Sequence, residues 1–316
     1  MSRASRTALL TGALVLGPLV GPSARAQRLE YGGGLSAATG EFIFTERSTS
    51  WVLTNGLQIA GERWRIGVSL PVITQNSTAI TMVGGMPLPT GGPNAGPIRD
   101  RTGGESIPMQ RKRGGTGGTG AGNLARASGG ILPSLVDSGA VEGLGPYTTN
   151  IGDPFFDLGG DFFVSSSGAV RLGAQVFAKV PIADPESGVG TGAFDYGVGA
   201  SFSMVADRAL FFADVSHWQL GDLDSLPLSD LTSGSIGVGR TLGTARRLSV
   251  LASLNGTTAF FETVDPALSA GIGLGYAPRP GRFLSVNLTV GMSESVAEWT
   301  ASVGWRRGIT RSGWER

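Results

Sequence analysis

Cysteine is absent, which excludes disulfides and thiolate-held metals. Histidine occurs once, at 217, so any triad must be built around that ring. Asp214 lies three residues away and on a strand would face the opposite side, so no nucleophile, base and orienting carboxylate assemble and the chain is read as a non-enzyme. Charged residues make up only 16% of the sequence and the formal net charge is +1, giving no electrostatic footprint for nucleic acid. Beyond the first 26 residues there is no apolar run of 18, so a helical membrane span is excluded and any crossing must be made by strands.

Those first 26 residues have their own character. Arg3 and Arg6 form a basic start, Ala8 to Val20 an apolar stretch, and Ala24-Arg25-Ala26 a small-residue cleavage site before Gln27. This is the pattern of a secretory signal peptide, with cleavage expected between Ala26 and Gln27. Removal takes three arginines from the 25 basic residues and leaves 22 against 24 acidic ones.

What the chain has in abundance is glycine, 52 residues, and period-two alternation. In Ala169 to Val180 the residues Val170, Leu172, Ala174, Val176, Ala178 and Val180 fall on one face. Arg171, Gly173, Gln175, Phe177 and Lys179 fall on the other. Twelve such segments are predicted, at residues 29–37, 51–60, 63–72, 153–164, 169–180, 194–204, 209–219, 230–240, 248–258, 265–276, 282–292 and 297–306. Their connections alternate between tight and long. An even strand count, short turns on one side and long loops on the other predict an all-β fold, a transmembrane antiparallel up-and-down barrel of about twelve strands in the bacterial outer membrane. A secreted β-sandwich is the competing architecture. It would carry a more charged outer face than the Gly, Ser and Thr that dominate the non-apolar phase here.

Aromatic residues near strand ends (Trp51, Trp64, Phe194, Tyr196, Trp218, Tyr276, Trp299 and Trp305) are expected to form interfacial girdles. Residues 74–150 carry little alternation and a Gly/Pro/Thr-rich centre, predicting one long, mostly irregular loop with a short ordered piece near Ile131 to Val136. Within it, Gly114 to Gly122 lacks the Lys-Ser/Thr and the strand-to-helix context of a phosphate-binding loop. Arg111-Lys112-Arg113 is a solvated charge run that could touch lipopolysaccharide phosphates.

The strand phase assigns Arg63, Arg65, Asp157, Asp161, Arg171, Gln175, Lys179, Asp195, Asp214, Asn255, Asn287 and Glu298 to the lumen. Two readings of these charges stay open. They can set a transverse field that selects small solutes, or pair with one another as a polar filling. Asp184, Glu186 and Asp195 offer oxygen ligands in an outer loop, but their spacing matches no calcium motif. No cofactor or metal is expected. The expected partners are outer-membrane lipid and lipopolysaccharide, the barrel insertion machinery (reading Trp305, Ile309 or Trp314 as the terminal aromatic or apolar signal) and a small-molecule solute.

Several runs resemble an outer-membrane transporter family labelled "MetA-pathway of phenol degradation". They are WRIGVSLPVI from Trp64, IGDPFFDLGG from Ile151, and FAKVPIADPESGVGTGAFDYGVGASFS from Phe177. The shared pattern is Leu70-Pro71, Gly152-Asp153, Lys179 and Pro181, then a loop carrying Gly188, Gly190, Thr191, Gly192, Asp195 and Tyr196. The resemblance spans nearly the whole mature chain and implies an outer-membrane barrel passing small hydrophobic or aromatic compounds. Two departures stand out. Ile182-Ala183-Asp184 replaces the family's usual Thr-Gly-Asp turn, and the insert at 84–130 is longer and richer in glycine. The alternative from a different class is a structural or adhesive barrel whose long loop binds surface partners.

Overall fold

A computed structural model describes residues 28–42, 47–76, 80–83, 86–89, 147–221, 228–260 and 264–309. The first strands are β1 (Arg28–Gly40), β2 (Ser48–Ala60) and β3 (Trp64–Gln75), followed by the short β4 (Ile80–Val83) and β5 (Met86–Pro89). Then come β6 (Thr148–Ile151), β7 (Phe155–Val164), β8 (Val170–Lys179), β9 (Asp195–Ala206) and β10 (Ala209–Gln219). The last five are β11 (Leu231–Leu242), β12 (Leu248–Thr257), β13 (Ala267–Arg279), β14 (Arg282–Gly291) and β15 (Trp299–Ile309).

Sequential neighbours pair antiparallel from β7 to β15, β15 pairs with β1, β1 with β2, β2 with β3, and β3 with β7. The sheet therefore closes on itself as a twelve-stranded antiparallel barrel, with no open edge. The twelfth position is shared. β6 pairs with the upper end of β3 (Val72↔Ile151) and β7 with its lower part (Trp64↔Gly160).

The break between β6 and β7 has a local cause. Pro71 and Pro154 have no N–H to give to a ladder. Gly152 bridges the gap by donating its N–H to the Pro71 carbonyl at 2.9 Å. A Cβ at Gly152 would come within 2.9 Å of the Pro71 ring.

Cross-strand register converts the alternation into two faces. Rows such as Asp214↔Ser235↔Asn255↔Ser269 and Phe211↔Val238 lie on opposite sides of the wall. Ile272, Leu274, Val286, Leu288, Val198 and Val176 are solvent-accessible on the outer face. That is the disposition a barrel needs where its solvent is lipid.

The five tight connections sit at the end that also holds Arg28 and Ile309. Several use left-handed backbone, held by glycine at Gly168, Gly243 and Gly281, with φ of 70°, 72° and 74°. A register shift between Asp161 and Phe163 turns both Phe162 and Phe163 outward near this end.

The long connections gather at the opposite end, and nearly all the deeply buried side chains of the molecule lie there. Ile73, Met82, Ala183 and Val189 pack as one cluster. Trp218, Leu231 and Phe260 are also buried. A small apolar cluster thus lies at this end, where the β4–β5 hairpin meets the 180–194 connection.

Two expectations need correction. Trp218 is not a girdle residue. In β10 the odd residues Phe211, Val215 and His217 face out, so Trp218 faces in, is 5% exposed, and stacks on Phe177 at 4.9 Å. The region 74–150 is also less irregular at its start and end than expected. β3 continues through Gln75, β6 begins at Thr148, and β4–β5 form a hairpin. That hairpin docks on the 180–194 connection: the Met82 N–H donates to the Val189 carbonyl at 3.2 Å, and the Thr81 hydroxyl to the Gly188 carbonyl at 2.8 Å. The stretch Ile131 to Val136, the signal peptide and the Gly114 to Gly122 run lie outside the described residues.

Candidate functional site: the barrel interior and its outer mouth

The inward face is built unevenly around the barrel. On β3, β7 and β8 it carries the charges. Arg65 approaches Asp157 at 3.6 Å and donates to the Gln175 amide oxygen at 2.5 Å. Arg171 pairs with Asp161 at 2.8 Å. These pairs join neighbouring strands, so opposite charges cancel within one sector and do not face each other across the lumen. Water reaches them, and each contributes no more than about 1 kcal/mol.

From β11 through β15 and onto β1 most inward positions are glycine, serine, threonine, alanine and asparagine, with Leu231, Leu251, Phe283 and the Glu30–Arg306 pair as the large or charged exceptions. Asn287 donates to the Ser302 hydroxyl at 3.3 Å, and Asp214 accepts from the Ser235 hydroxyl at 2.5 Å. Asn255 stands beside them in the same register. Arg63 lies in the turn before β3, where its carbonyl accepts the Asp161 N–H at 2.7 Å. Glu298 lies outside the strands, in the loop before β15, bound to Arg47 of the β1–β2 connection at 2.8 Å.

Large inward side chains lie along the wall because a glycine on the next strand leaves them room. Trp218 covers Gly197, where a Cβ would sit 2.7 Å from the indole, and Leu251 covers Gly239 at 2.9 Å. Phe212 covers Gly237 in the same way. Gly237→Val is therefore expected to destabilise the barrel by about 1–3 kcal/mol through overpacking. It should also lower single-channel conductance as the Phe212 ring is pushed off the wall. Urea unfolding and bilayer recordings check the two effects separately.

At the outer end the sequence places a different kind of site. Lys179 ends β8 and Asp195 begins β9, opposite each other in the ladder. Asp153 comes in from the Gly152–Pro154 break. All three side chains are 0% exposed, with Lys179 Nζ 2.9 Å from Asp195 and 3.5 Å from Asp153. The ammonium donates to the Thr191 hydroxyl at 2.6 Å. Asp153 Oδ1 accepts the Ile182 and Ala183 N–H groups, each at 2.8 Å, and Asp195 Oδ1 accepts the Gly221 N–H at 3.0 Å. One cation thus ties the start of β7, the 180–194 connection and the loop after β10 into a single buried knot.

The motif loop wraps this knot. Gly190 has no room for a side chain, since a Cβ would stand 2.8 Å from both Asp153 Oδ2 and the Ala183 Cβ. Gly188 and Gly192 take left-handed backbone. Tyr196 points the other way, exposed on the outer face beside Phe194. The sequence reading names Lys179, Thr191 and Asp195 separately but misses Asp153 as their partner. The one available signal is the Gly-Asp-Pro that interrupts an otherwise continuous strand.

His217 faces outward and its Nδ1 lies 3.0 Å from the Thr232 hydroxyl, while Asp214 faces inward. Among the described residues, no three His, Cys, Asp or Glu side chains come together as a metal site.

The interior also holds a chamber of about 410 Å³. It is lined from β1 and β2 on one side and β10 to β15 on the other, under Phe42 of the β1–β2 connection. Eight of its lining residues are serine or threonine, with Asn255 and Asp214 among them, and none is basic. Residues drawn from strands so far apart in the sheet meet only inside a closed wall.

No family model matches the chain, and no curated protein matches its sequence. Solved structures do match. An outer membrane channel from Pseudomonas putida F1 superposes with a TM-score of 0.59 at 9% identity, over 91% of this chain and 97% of that one. The likeness is one of fold. The CymD monoaromatic hydrocarbon channel aligns at TM-score 0.38 and 12% identity, over 90% of this chain and 89% of its own. The P. putida toluene transporter TodX aligns at TM-score 0.42 and 10% identity, over 92% and 91%.

Proposed function

We propose that the chain is a bacterial outer-membrane channel for passive passage of small compounds, reached after cleavage of the signal peptide at Ala26. The observation that carries this is a chamber of about 410 Å³ inside a closed barrel whose outer face is apolar. A solute path needs such open interior space, whereas a complete polar filling of paired side chains would leave none. The fold shared with an outer membrane channel supports the same reading. The substrate class, small hydrophobic or aromatic compounds, rests on the family resemblance of the Lys179–Tyr196 motif. The inward Arg65, Asp157, Asp161, Arg171, Gln175, Asp214, Asn255 and Asn287 are the wall groups such a solute would pass.

The alternative, a structural barrel with an adhesive long loop, is favoured by one feature, the buried apolar cluster among the loops at one end of the barrel. Liposomes carrying the refolded protein separate the two. A channel is expected to admit phenol-sized solutes faster than protein-free liposomes, with uptake falling off as solute size rises. Equal rates with and without protein would leave only the structural reading.

A further inference from the structure

Among the described residues, every inward carboxylate but one stands within 4 Å of a basic side chain. Asp157 has Arg65, Asp161 has Arg171, Asp153 and Asp195 share Lys179, and Glu30 lies 3.8 Å from Arg306. Asp214 is the exception. Its described partner is the Ser235 hydroxyl, which leaves its charge uncancelled. Among the described residues it is also the only ionisable one lining the chamber of about 410 Å³, where hydroxyls and the Asn255 amide supply the remaining polar groups.

We propose that this chamber is a binding station for small organic cations, with Asp214 taking the ammonium group. The chemistry is selective on two counts. An ammonium carries three donors and no acceptor, so it is matched by a carboxylate flanked by hydroxyl oxygens and an amide carbonyl. A carboxylate or phosphate solute finds no Lys or Arg on the lining to replace its water. A low-dielectric wall around the chamber concentrates the field of the single charge. The volume admits a compact body of a few carbons behind the cationic head.

The proposal rests on the channel reading for transport, but not for binding. The test has two arms so that the two can fail separately. In planar bilayers under a KCl gradient, the wild-type barrel should prefer potassium over chloride. One unit charge met at about 5 Å in water enriches potassium about fourfold and depletes chloride in the same measure, so the expected preference is about sixteenfold. Asp214→Asn should bring the ratio close to parity. Adding Ser235→Asp to that variant restores a carboxylate on the directly opposed ladder position, and should restore the preference. Rescue by the double variant excludes misfolding as the cause of the loss.

The second arm uses saturation-transfer NMR on the protein in micelles, with n-butylamine, n-butanol and butyrate as probes. Comparing wild type with Asp214→Asn cancels the micelle contribution. The butylamine signal should be lost in the variant, with butanol and butyrate unchanged. A barrel that conducts with the same ion preference in both proteins overturns the proposal and leaves the channel reading standing. A barrel that does not conduct removes the channel reading. The NMR comparison then decides binding alone, and equal butylamine signals in the two proteins overturn it.

Discussion

Lys179→Met is expected to open the outer mouth and to cost about 3–5 kcal/mol of stability, the loss seen when one partner of a buried ion pair is removed. Asp153 and Asp195 are both fully buried, so the variant leaves two carboxylates in a dry site with no cation. Their backbone donors (Ile182, Ala183 and Gly221) remain, but hydrogen bonds do not cancel the repulsion of two like charges. The expected outcome is a lowered urea midpoint and fast hydrogen exchange in the 180–194 connection, with the amides of β11 to β14 unaffected. A triple variant with Asp153→Asn and Asp195→Asn added should recover much of the loss, because neutral amides tolerate the site. A midpoint equal to wild type in Lys179→Met would mean that the knot is wet and the mouth is held by its apolar cluster alone.

Val286→Arg and Thr289→Arg, three residues apart on β14, are expected to behave as though they belonged to different proteins. Val286 is about half exposed on the outer face, and Thr289 lines the chamber. An arginine facing hydrocarbon near mid-bilayer costs about 2–4 kcal/mol. An arginine facing an aqueous lumen keeps its hydration and should cost little. Folding into lipid vesicles, read by the heat-dependent gel shift of barrels, should fail or slow for Val286→Arg only. Thr289→Arg should insert normally and shift ion preference toward chloride, since it places a cation within the chamber that holds Asp214. Normal insertion of both would mean that the face assignment along β14 is reversed or that the strand does not meet lipid.

The barrel itself is legible in the sequence because its two physical requirements are local. A side chain on a strand changes face at every residue, so a lipid-facing row and a water-facing row must alternate in the text. A tight turn needs a glycine or asparagine-like backbone, so the Gly243 and Gly281 connections announce themselves. The twelve segments read from alternation match the twelve wall positions, with strand ends differing by one to three residues in most places. The phase also assigns Lys179 and Asp195 to one face before any contact is known.

Trp218 shows where that logic stops. An aromatic near a strand end suits a membrane interface equally well from either side of the wall, and composition does not distinguish them. The decision belongs to β10's partner strand, where Gly197 leaves space beneath the indole and Phe177 supplies a ring to stack on. The same is true of the charges. The sequence assigns Arg65, Asp157, Asp161 and Arg171 to the interior but leaves open whether they oppose or cancel. Cancellation follows from the adjacency of β3, β7 and β8, a property of the closed sheet and not of any one strand.

By itself, then, the sequence determined the alternating wall and the set of polar residues sharing the inner phase, and carried the resemblance to outer-membrane barrels. Those depend on period-two geometry and on backbone conformation, which are written within ten residues. Only the tertiary structure decided that Asp153 joins Lys179 and Asp195 and that the β4–β5 hairpin docks on the 180–194 connection. It alone left Asp214 without a described counter-charge in a chamber whose described lining holds no basic residue. Electrostatic pairing and burial depend on which distant strands become neighbours, and closing the sheet between β1 and β15 is the step that brings them together.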